Sequence, residues 1–466
     1  MDLAVVVLAA GEGTRMKSSK PKVLHEILGR PMISYAIEAA RGLEPERIVA
    51  VLGHGSDEVR KKIDGRVRIA IQEEQLGTAH AVSCAVPELD NFDGDVLVIC
   101  GDTPLMTTST LRELVEIKSR HAAAASLLIA RLDDPTGYGR VVRDGARVFK
   151  IVEEKDASPE ERAISEVNAG TYCFEKAALV SVLGEIGREN AQSEYYLTDA
   201  IGILTAKGKT VVAYSANSPE EVLGVNSRKQ LAEAARIARM RVNEALMASG
   251  VTIEEPDLTF ISPEAKVGRD TIIRPNCFIE GNTEIGEGCE IGPNVRVVDS
   301  SIGNGVVMEQ AVIKGAIIED GASLGPFCHI RPGTRVRRGA KVGGFVEVKK
   351  SDIGEGAKVP HLSYIGDARV GKDANLGAGT ITCNFDGFEK HETVIEEGAF
   401  IGSDTMLVAP VRIGKGAFTG AGSTITEDVP ADALGLERAE QKNFEGWAKR
   451  RREIKGEKHE KGREEE

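Results

Sequence analysis

The 466-residue sequence is poor in aromatic residues and in long apolar runs. Phenylalanine, tyrosine and tryptophan together make up 4% of the chain. The first apolar run, residues 4–10, follows an acidic residue and ends at a glycine, so it lacks the basic start of a signal peptide. It is also too short to cross a bilayer. We therefore interpret it as a buried strand and expect no membrane partner.

Paired cysteines and excess positive charge are also missing. None of the seven cysteines has CxxC spacing, and their number is odd. This usage favours reduced thiols in a cytoplasmic protein over a disulfide framework or a zinc site. The net charge of −13 repels phosphate backbones at long range, so we expect no nucleic-acid partner.

Glycine is abundant, with 51 residues that crowd the second half of the chain. In that half an aliphatic residue returns every six positions, a period that fits neither an α-helix nor a hairpin. The positions are Ile261, Val267, Ile273, Ile279, Ile285, Ile291 and Val297, then Leu324, Ile330, Val336, Val342 and Val348, then Ile401, Leu407, Ile413 and Ile425. This period predicts a left-handed parallel β-helix of hexapeptide repeats over residues 251–448, with three short strands per coil. The segment from Thr380 to Lys390 breaks the repeat and predicts an inserted functional loop.

The first half follows a different pattern. From Leu3 to Asn226, short apolar runs alternate with amphipathic segments, which predicts an α/β domain with a Rossmann-like mixed sheet over residues 1–226. Residues 227–250 have helical spacing between Ser227 and Gly250, and we expect a helical linker there. The charged residues 449–466 predict a disordered tail.

A glycine-rich turn follows the first predicted strand at residues 11–16. Glycines at such a turn allow backbone N–H groups to approach a phosphate closely. The cations Arg15 and Lys22 follow, which suits a triphosphate, although a simple tight turn remains an alternative. Asp102 follows the apolar run of residues 95–100 at the end of the predicted strand. A carboxylate there can hold Mg²⁺ or can cap the next helix.

The second half offers a base for acyl transfer to an amine. Histidine is the side chain that can accept such a proton near neutral pH. His361 has the most suggestive neighbourhood, since Arg331 and Lys349 are eighteen residues apart, which is one full coil. We expect these two cations to stack on one face near His361, where they would suit a sugar phosphate.

Several motifs together resemble a known family. They are LAAGEGTRM at residues 8–16 with Pro21-Lys22, QEEQLGT at 72–78, CGD at 100–102, PTGYGR at 135–140, Glu153, Asn168, and GVN at 224–226. With the hexapeptide half, they resemble the bacterial bifunctional family of N-acetylglucosamine-1-phosphate uridylyltransferases and glucosamine-1-phosphate acetyltransferases over nearly the whole length.

The resemblance implies a role for each matching residue of the first half. The residues implied to bind the nucleotide and sugar are Leu8, Ala9, Ala10, Gly11, Lys22, Gln72, Gly77, Thr78, Cys100, Gly101, Asp102, Gly139, Glu153, Asn168 and Asn226. Asp102 and Asn226 would hold Mg²⁺, while Arg15 and Lys22 would meet the phosphates of UTP. Cys100 stands where relatives often carry tyrosine.

For the second half, the resemblance implies that His361 is the general base. The residues implied to bind glucosamine-1-phosphate are Arg331, Lys349, Tyr364 and Asn375, and those implied to bind acetyl-CoA are Ala378, Asn384, Phe385, Ser403, Ala421 and Arg438. Phe385 and Pro360 depart from the residues expected there. The family also implies a homotrimer that acts on small-molecule substrates in the cytoplasm.

Two alternatives remain open. The β-helix could be a structural or regulatory module, as in proteins similar to ADP-glucose pyrophosphorylase, although His361, Asn375 and the inserted loop argue against this. The first half could instead use dTTP and glucose-1-phosphate, because modest changes in the base and sugar pockets would separate these substrates.

Overall fold

The computed structural model describes residues 2–53, 55–145 and 147–464, and the chain divides into two compact units. The first unit comprises Met1–Ala265 and Pro275–Asn282, and the second comprises Lys266–Arg274 and Thr283–Glu466. No helix in the described ranges is long and apolar enough to span a membrane.

The first unit alternates strands and helices. Its strands are β1 (Leu3–Ala9), β2 (Glu26–Ile27), β3 (Arg30–Pro31), β4 (Arg47–Leu52), β5 (Arg68–Ile71), β6 (Asp95–Cys100), β7 (Ala125–Arg131), β8 (Arg140–Asp144), β9 (Arg147–Val152), β10 (Glu166–Glu175), β11 (Val211–Ser215), β12 (Thr252–Ile253) and β13 (Thr259–Ile261). Its helices are α1 (Met32–Arg41), α2 (Ser56–Arg60), α3 (Thr78–Ala85), α4 (Thr108–Arg120), α5 (Pro159–Arg162), α6 (Lys176–Leu183), α7 (Asp199–Ala206) and α8 (Arg228–Ala248).

The main sheet is mixed, as the alternation predicts. Its order is β11-β7-β10-β6-β1-β4-β5, and the β8–β9 hairpin extends from β10. Strand β1 runs parallel to β4 and β6, whereas β10 runs antiparallel to β6 and β7. Successive residues of β1 enter different cores, since Val6 packs on one face of the sheet and Val5 and Val7 on the other. A strand covered on both faces explains why its sequence is continuously apolar.

Helix α8 forms where helical spacing predicts it. The Ser227 hydroxyl accepts a hydrogen bond from the backbone N–H of Gln230 and caps the helix. The buried side of α8, with Ala234, Ile237 and Ala238, packs against a cluster that includes Met32. The helix is therefore part of the core of the first unit, which the chain leaves after Ala265.

The strands that follow are short and regularly spaced. They are β14 (Lys266–Val267), β15 (Ile272–Ile273), β16 (Cys277–Glu280, in the first unit), β17 (Glu284–Ile285), β18 (Glu290–Ile291), β19 (Arg296–Val298), β20 (Ser301–Ile302), β21 (Val307–Met308), β22 (Val312–Lys314), β23 (Ile317–Ile318), β24 (Ser323–Leu324), β25 (His329–Ile330), β26 (Arg335–Val336), β27 (Lys341–Gly344), β28 (Glu347–Lys349), β29 (Asp352–Ile353), β30 (Lys358–His361), β31 (Tyr364–Gly366), β32 (Ala368–Val370), β33 (Asn375–Leu376), β34 (Ile381–Cys383), β35 (Thr393–Ile395), β36 (Phe400–Ile401), β37 (Met406–Val408), β38 (Val411–Ile413), β39 (Phe418–Thr419), β40 (Thr424–Ile425) and β41 (Leu434–Gly435).

These strands form a parallel β-helix in the second unit. Three sheets run along it, and a strand pairs in parallel with the strand three positions further along, as in β15-β18-β21, β14-β17-β20 and β19-β22-β25. The aliphatic residues of the six-residue period point inward and are buried, with Val267 half-buried. The predicted fold class is therefore confirmed.

The register slip after Val297 has a structural cause. Val297 pairs with Ile313, so this coil has sixteen residues instead of the eighteen that separate Ile330 from Val348. Ile302, Met308, Ile313 and Ile318 occupy the inward positions through the slip. The coil shortens at its corners and keeps its apolar interior.

Two predictions about irregular segments differ from the structure. The break expected from Thr380 begins at Asn384, because residues 381–383 form β34 and the buried Thr382 hydroxyl accepts a hydrogen bond from Gly366 N at 2.7 Å. The tail expected to be disordered forms helix α9 (Trp447–Glu464). Its lysine, arginine and glutamate residues have high helix propensity, which explains a helix without an apolar face.

Candidate functional sites

A cavity of about 650 Å³ opens in the first unit at the carboxyl ends of β1, β5 and β6. Parallel strands bring their following loops to one edge of the sheet, where ligands bind in open α/β folds. The predicted residues that line the cavity are Leu8, Ala9, Ala10, Gly11, Lys22, Gln72, Gly77, Thr78, Cys100 and Asp102. The motifs that are separate in sequence therefore meet at one place.

Glycine is required at two points of this cavity. Gly13 has a φ of 65°, and a Cβ atom there would lie 2.6 Å from Cβ of Lys22. Gly77 has a φ of 116°, and a Cβ atom there would lie 2.5 Å from the carbonyl oxygen of Tyr195. The missing side chains let the glycine-rich turn pack on Lys22 and let α3 begin beside Tyr195.

Lys22, Asp102 and Asn226 form a polar cluster beside the cavity. The Lys22 ammonium donates to Oδ2 of Asp102 in a very short contact and to Oδ1 of Asn226 at 3.0 Å. Val225 N donates to Asp102 O at 2.9 Å, which brings residues 224–226 to the end of β6. Carboxylate and amide oxygens suit Mg²⁺, and these two already converge on one cation, so the residues fit the ion.

The predicted sugar-binding residues form a second group in the same unit. Asn168 N donates to Gly139 O at 2.8 Å, and Thr198 Oγ1 donates to Oε1 of Glu153 at 3.2 Å. A Cβ atom on Gly139 would lie 3.5 Å from the Glu153 carboxylate oxygens, so the two residues are neighbours. Burial, countered in part by the Thr198 hydrogen bond, raises the pKa of Glu153.

An ion pair of the buried Arg140 with the partly exposed Glu154 supports this group. The Arg140 side chain is 2% exposed, and its Nη2 lies 2.7 Å from Oε2 of Glu154. Its Nη1 donates to the carbonyl oxygen of Tyr138 in a very short contact. Arg140 thus connects the turn at Tyr138 and Gly139 with Glu154, the residue that follows Glu153.

The remaining predicted residues of the first unit have other positions. Arg15 is exposed and does not line the cavity. Gly101 N donates to Leu8 O at 2.8 Å. The Cys100 thiol donates to Gly170 O at 3.5 Å, and burial raises its pKa to about 12, so it is no thiolate nucleophile at neutral pH.

In the second unit, Arg331 and Lys349 stack on adjacent coils, as their spacing predicts. Arg331 N donates to Val348 O at 2.8 Å, and its guanidinium pairs with Glu347 at 2.8 Å. Lys390 of the inserted loop lies beside Lys349, and this neighbour, with Arg331, lowers the pKa of Lys349. Three cations in one patch create a site for an anion.

His361 ends β30, where it pairs with Gly344 across the sheet. Its side chain is exposed, and its imidazole has no hydrogen-bond partner in the described part of the chain. Tyr364 lies on β31, in register with Glu347. Tyr364 Oη and Asn384 Nδ2 both approach Gly366, since a Cβ atom there would lie 2.5 Å and 2.7 Å from them.

The other predicted ligands of this unit fall into three places. Ala378, Ser403 and Ala421 stack at one corner, where Asp404 N donates to Ala378 O, Gly422 N donates to Ser403 O and Arg438 Nη1 donates to Ala421 O at 3.2 Å. Asn384 Nδ2 donates to Asp367 at 2.6 Å, while the Phe385 ring is 58% exposed. Asn375 lies on β33 between Lys358 and Phe400.

Several residues at these sites were not predicted from the sequence. Gln75 could have been found, since it lies inside the QEEQLGT motif and lines the first cavity. Lys390 lies in the predicted loop, but nothing in the sequence brings it to Lys349. Glu194, Thr198 and Asp367 belong to no motif, and tertiary structure alone brings them to the predicted residues.

Three sequence families match parts of this chain. The family "MobA-like NTP transferase domain" matches residues 5–159, "GMPPB C-terminal domain" matches residues 257–334, and "Bacterial transferase hexapeptide (six repeats)" matches residues 392–427. The chain is thus a nucleotidyltransferase joined to a hexapeptide-repeat transferase.

Similar proteins align over almost their whole length. "Bifunctional protein GlmU" of Trichlorobacter lovleyi is 51% identical, over 97% of this chain and 99% of the relative. The proteins of that name from Heliobacterium modesticaldum and Carboxydothermus hydrogenoformans are both 52% identical, over 96% and 95% of this chain and 98% and 99% of the relatives. The chain belongs to the GlmU family of bifunctional enzymes, which confirms the resemblance seen in the sequence.

Proposed function

We propose that the first unit transfers UMP from UTP to N-acetylglucosamine-1-phosphate with release of pyrophosphate. The observation that carries this proposal is the cavity lined by the glycine-rich turn and Gln72, with the Lys22–Asp102–Asn226 cluster beside it. An oxygen of the sugar phosphate attacks the α-phosphorus of UTP, and the bond to the pyrophosphate breaks. The chain aligns the two substrates and neutralises charge, which is how phosphoryl transfer is catalysed without a protein nucleophile.

Each group of residues has a part in this proposal. Lys22 and Arg15 would meet the phosphates, and Gly139, Glu153 and Asn168 would bind the sugar. Asp102 and Asn226 would hold Mg²⁺, which supplies positive charge against the triphosphate when it is bound.

We propose that the second unit acetylates glucosamine-1-phosphate with acetyl-CoA. Arg331, Lys349 and Lys390 would bind the phosphate, with Tyr364 and Asn375 on the sugar. His361 would take a proton from the ammonium group, after which the amine attacks the thioester carbonyl. The C–S bond then breaks, and the second proton of the nitrogen goes to the leaving CoA thiolate, which gives the amide and free thiol. Ala378, Ser403, Ala421 and Arg438 would bind acetyl-CoA along their corner, with Asn384 and Phe385 at the loop.

The division of labour follows the sequence boundaries in this proposal. Residues 1–226 would carry nucleotidyl transfer, residues 227–250 the connecting helix, and residues 251–448 acetyl transfer. We propose a homotrimer, supported by the exposed stacked ring pairs Phe327–Phe345 and Phe400–Phe418 on the β-helix. The seven free cysteines support a cytoplasmic location.

A two-activity assay on purified protein tests the proposal. Glucosamine-1-phosphate, acetyl-CoA, UTP and Mg²⁺ are supplied, and free thiol and pyrophosphate are followed separately. Release of both is expected. If N-acetylglucosamine-1-phosphate and UTP give pyrophosphate but no thiol appears from acetyl-CoA, the β-helix is a structural module. Activity with dTTP and glucose-1-phosphate in place of UTP and N-acetylglucosamine-1-phosphate would favour the thymidylyltransferase alternative.

Two variants separate the sites. Asp102→Ala should abolish pyrophosphate release and keep thiol release. His361→Ala should do the reverse when N-acetylglucosamine-1-phosphate is supplied directly, and its loss of thiol release should be at least about 100-fold, the lower bound for a general base. Asp93→Ala and His121→Ala are matched controls, because both residues are exposed and lie outside the proposed sites. Loss of both activities in a well-folded Asp102→Ala protein would contradict independent sites.

A further inference from the structure

The side-chain amide of Gln72 is held in the wall of the nucleotide cavity. Gln72 directly follows β5, and its backbone N–H donates to Leu52 O at 2.8 Å. The residue is 3% exposed and lines the cavity. An amide in a tightly packed position presents either its oxygen or its nitrogen to a bound base, so its orientation matters for recognition.

Two hydrogen-bond acceptors, Gly77 O and His80 Nδ1, determine the orientation of the Gln72 amide. Nε2 of Gln72 lies 3.0 Å from the carbonyl oxygen of Gly77 and 3.0 Å from Nδ1 of His80. A carbonyl oxygen can accept a hydrogen bond but cannot donate one, so the amide NH₂ group must face Gly77. The second amide hydrogen then points to His80. In the described chain Oε1 has no donor, which leaves it as the amide atom available to a ligand.

His80 is fixed for this contact by helix α3. The first turn of the helix is held by Ala79 N, which donates to Tyr195 O at 2.9 Å, and by Ala81 N, which donates to Gly77 O at 3.1 Å. Because Nδ1 accepts from Gln72, the imidazole proton lies on Nε2, which is 3.9 Å from Sγ of Cys84 one turn further. His80 does not line the cavity, so it acts on a ligand through Gln72.

We infer that His80 is a positioning residue that presents the Gln72 amide oxygen to the base and thereby selects uracil over cytosine. This inference rests on the proposed binding of a uridine nucleotide in the cavity. Uracil and thymine carry an N–H at N3, which an acceptor can bind. Cytosine carries a lone pair at N3, which an acceptor repels. A reversed amide would have the opposite preference.

The experiment compares UTP with CTP in three variants of the full chain. In His80→Phe an aromatic ring is kept and the acceptor is removed, so the ratio of kcat/KM for UTP to kcat/KM for CTP should fall about tenfold, the effect of about 1.4 kcal/mol of lost hydrogen bonding. His80→Asn offers an acceptor oxygen near the position of Nδ1 and should restore most of the ratio. Cys84→Ala leaves Nδ1 in place and should keep the wild-type ratio.

The outcomes distinguish this inference from the function on which it rests. A fall in the UTP:CTP ratio in His80→Phe, with recovery in His80→Asn, supports the inference. An unchanged ratio in folded His80→Phe protein overturns it, as does an equal loss of both activities, which would indicate a structural role. If wild-type protein uses neither UTP nor CTP, the proposed function itself fails, whatever the variants do.

Discussion

Replacement of Lys22 by glutamine should destabilise the first unit and make its stability depend on a divalent cation. In the wild type the Lys22 ammonium contacts both Asp102 and Asn226, the two residues proposed to hold Mg²⁺. The Lys22 and Asp102 side chains are 12% and 21% exposed. Glutamine would leave the Asp102 carboxylate without its positive partner in a largely buried place.

The size of the effect follows from this burial. Removal of one partner from a buried ion pair costs about 3–5 kcal/mol, and the partial exposure of Asp102 places this pair near about 3 kcal/mol. At roughly 2–4 °C per kcal/mol for a unit of this size, Tm should fall by about 6–12 °C. Mg²⁺ at about 100 times its Kd would return about 2.7 kcal/mol. Wild-type protein should gain less, since the ion must first displace the ammonium.

Calorimetry of the full chain with and without Mg²⁺, and without nucleotide, measures these shifts. Lys20→Gln is the matched control, because its 3.1 Å pair with Glu26 is exposed and is worth less than about 1 kcal/mol. Lys22→Gln combined with Asp102→Asn removes the uncompensated charge and should regain stability without Mg²⁺. If Lys22→Gln is destabilised but does not respond to Mg²⁺, the Asp102–Asn226 pair is no metal site.

Two further variants test the burial at each site. Because burial raises the folded-state pKa of Glu153, its carboxyl destabilises the fold as pH rises through that pKa. Glu153→Gln should therefore make the first unit more stable at pH 7, a gain that disappears below the ordinary carboxyl pKa, as urea unfolding at pH 7 and pH 4 would measure. A less stable Glu153→Gln protein at pH 7 would contradict this sign. In Gly343→Ala the new Cβ atom would overlap the carbonyl oxygen of Pro360, next to His361, so the second unit should lose about 3 kcal/mol and its thiol release. Pyrophosphate release from supplied N-acetylglucosamine-1-phosphate and UTP should persist. Gly344→Ala, with its Cβ 3.5 Å from the nearest atom, should cost far less in the same denaturation experiment, and equal costs would refute the steric argument.

Much of the fold could be predicted because its signals are local. A strand covered on both faces must be continuously apolar, as β1 is, and an inward position in the β-helix must be aliphatic, as Ile330 and Val348 are. Helix α8 is predicted by the helical spacing of its apolar residues and by Ser227 as its N-cap. The shortened coil between Val297 and Ile313 was not predicted, because a corner can lose residues without a change in the side chains that face inward.

The sites were predicted in part. The motifs around Gly11, Gln72 and Asp102 are short, and each places its residues at the end of a strand, so their meeting in one cavity follows from a parallel sheet. The break in the repeat predicts the loop that ends at Lys390, but the contact of Lys390 with Lys349 depends on the path of that loop, which the six-residue period does not define. His80 also gave none, because its role depends on the amide of Gln72.

The sequence by itself determined which segments form strands, which side chains face inward and which motifs carry phosphate chemistry, because these properties depend on periodicity and on residues close together in the chain. Tertiary structure alone decided that Lys22 lies between Asp102 and Asn226, that Thr198 bonds Glu153, and that the Gln72 amide has a defined direction. The first two contacts depend on the distance between side chains far apart in the chain, which the packing of strands and helices sets. The third depends on how the loop after β5 folds back onto the start of α3.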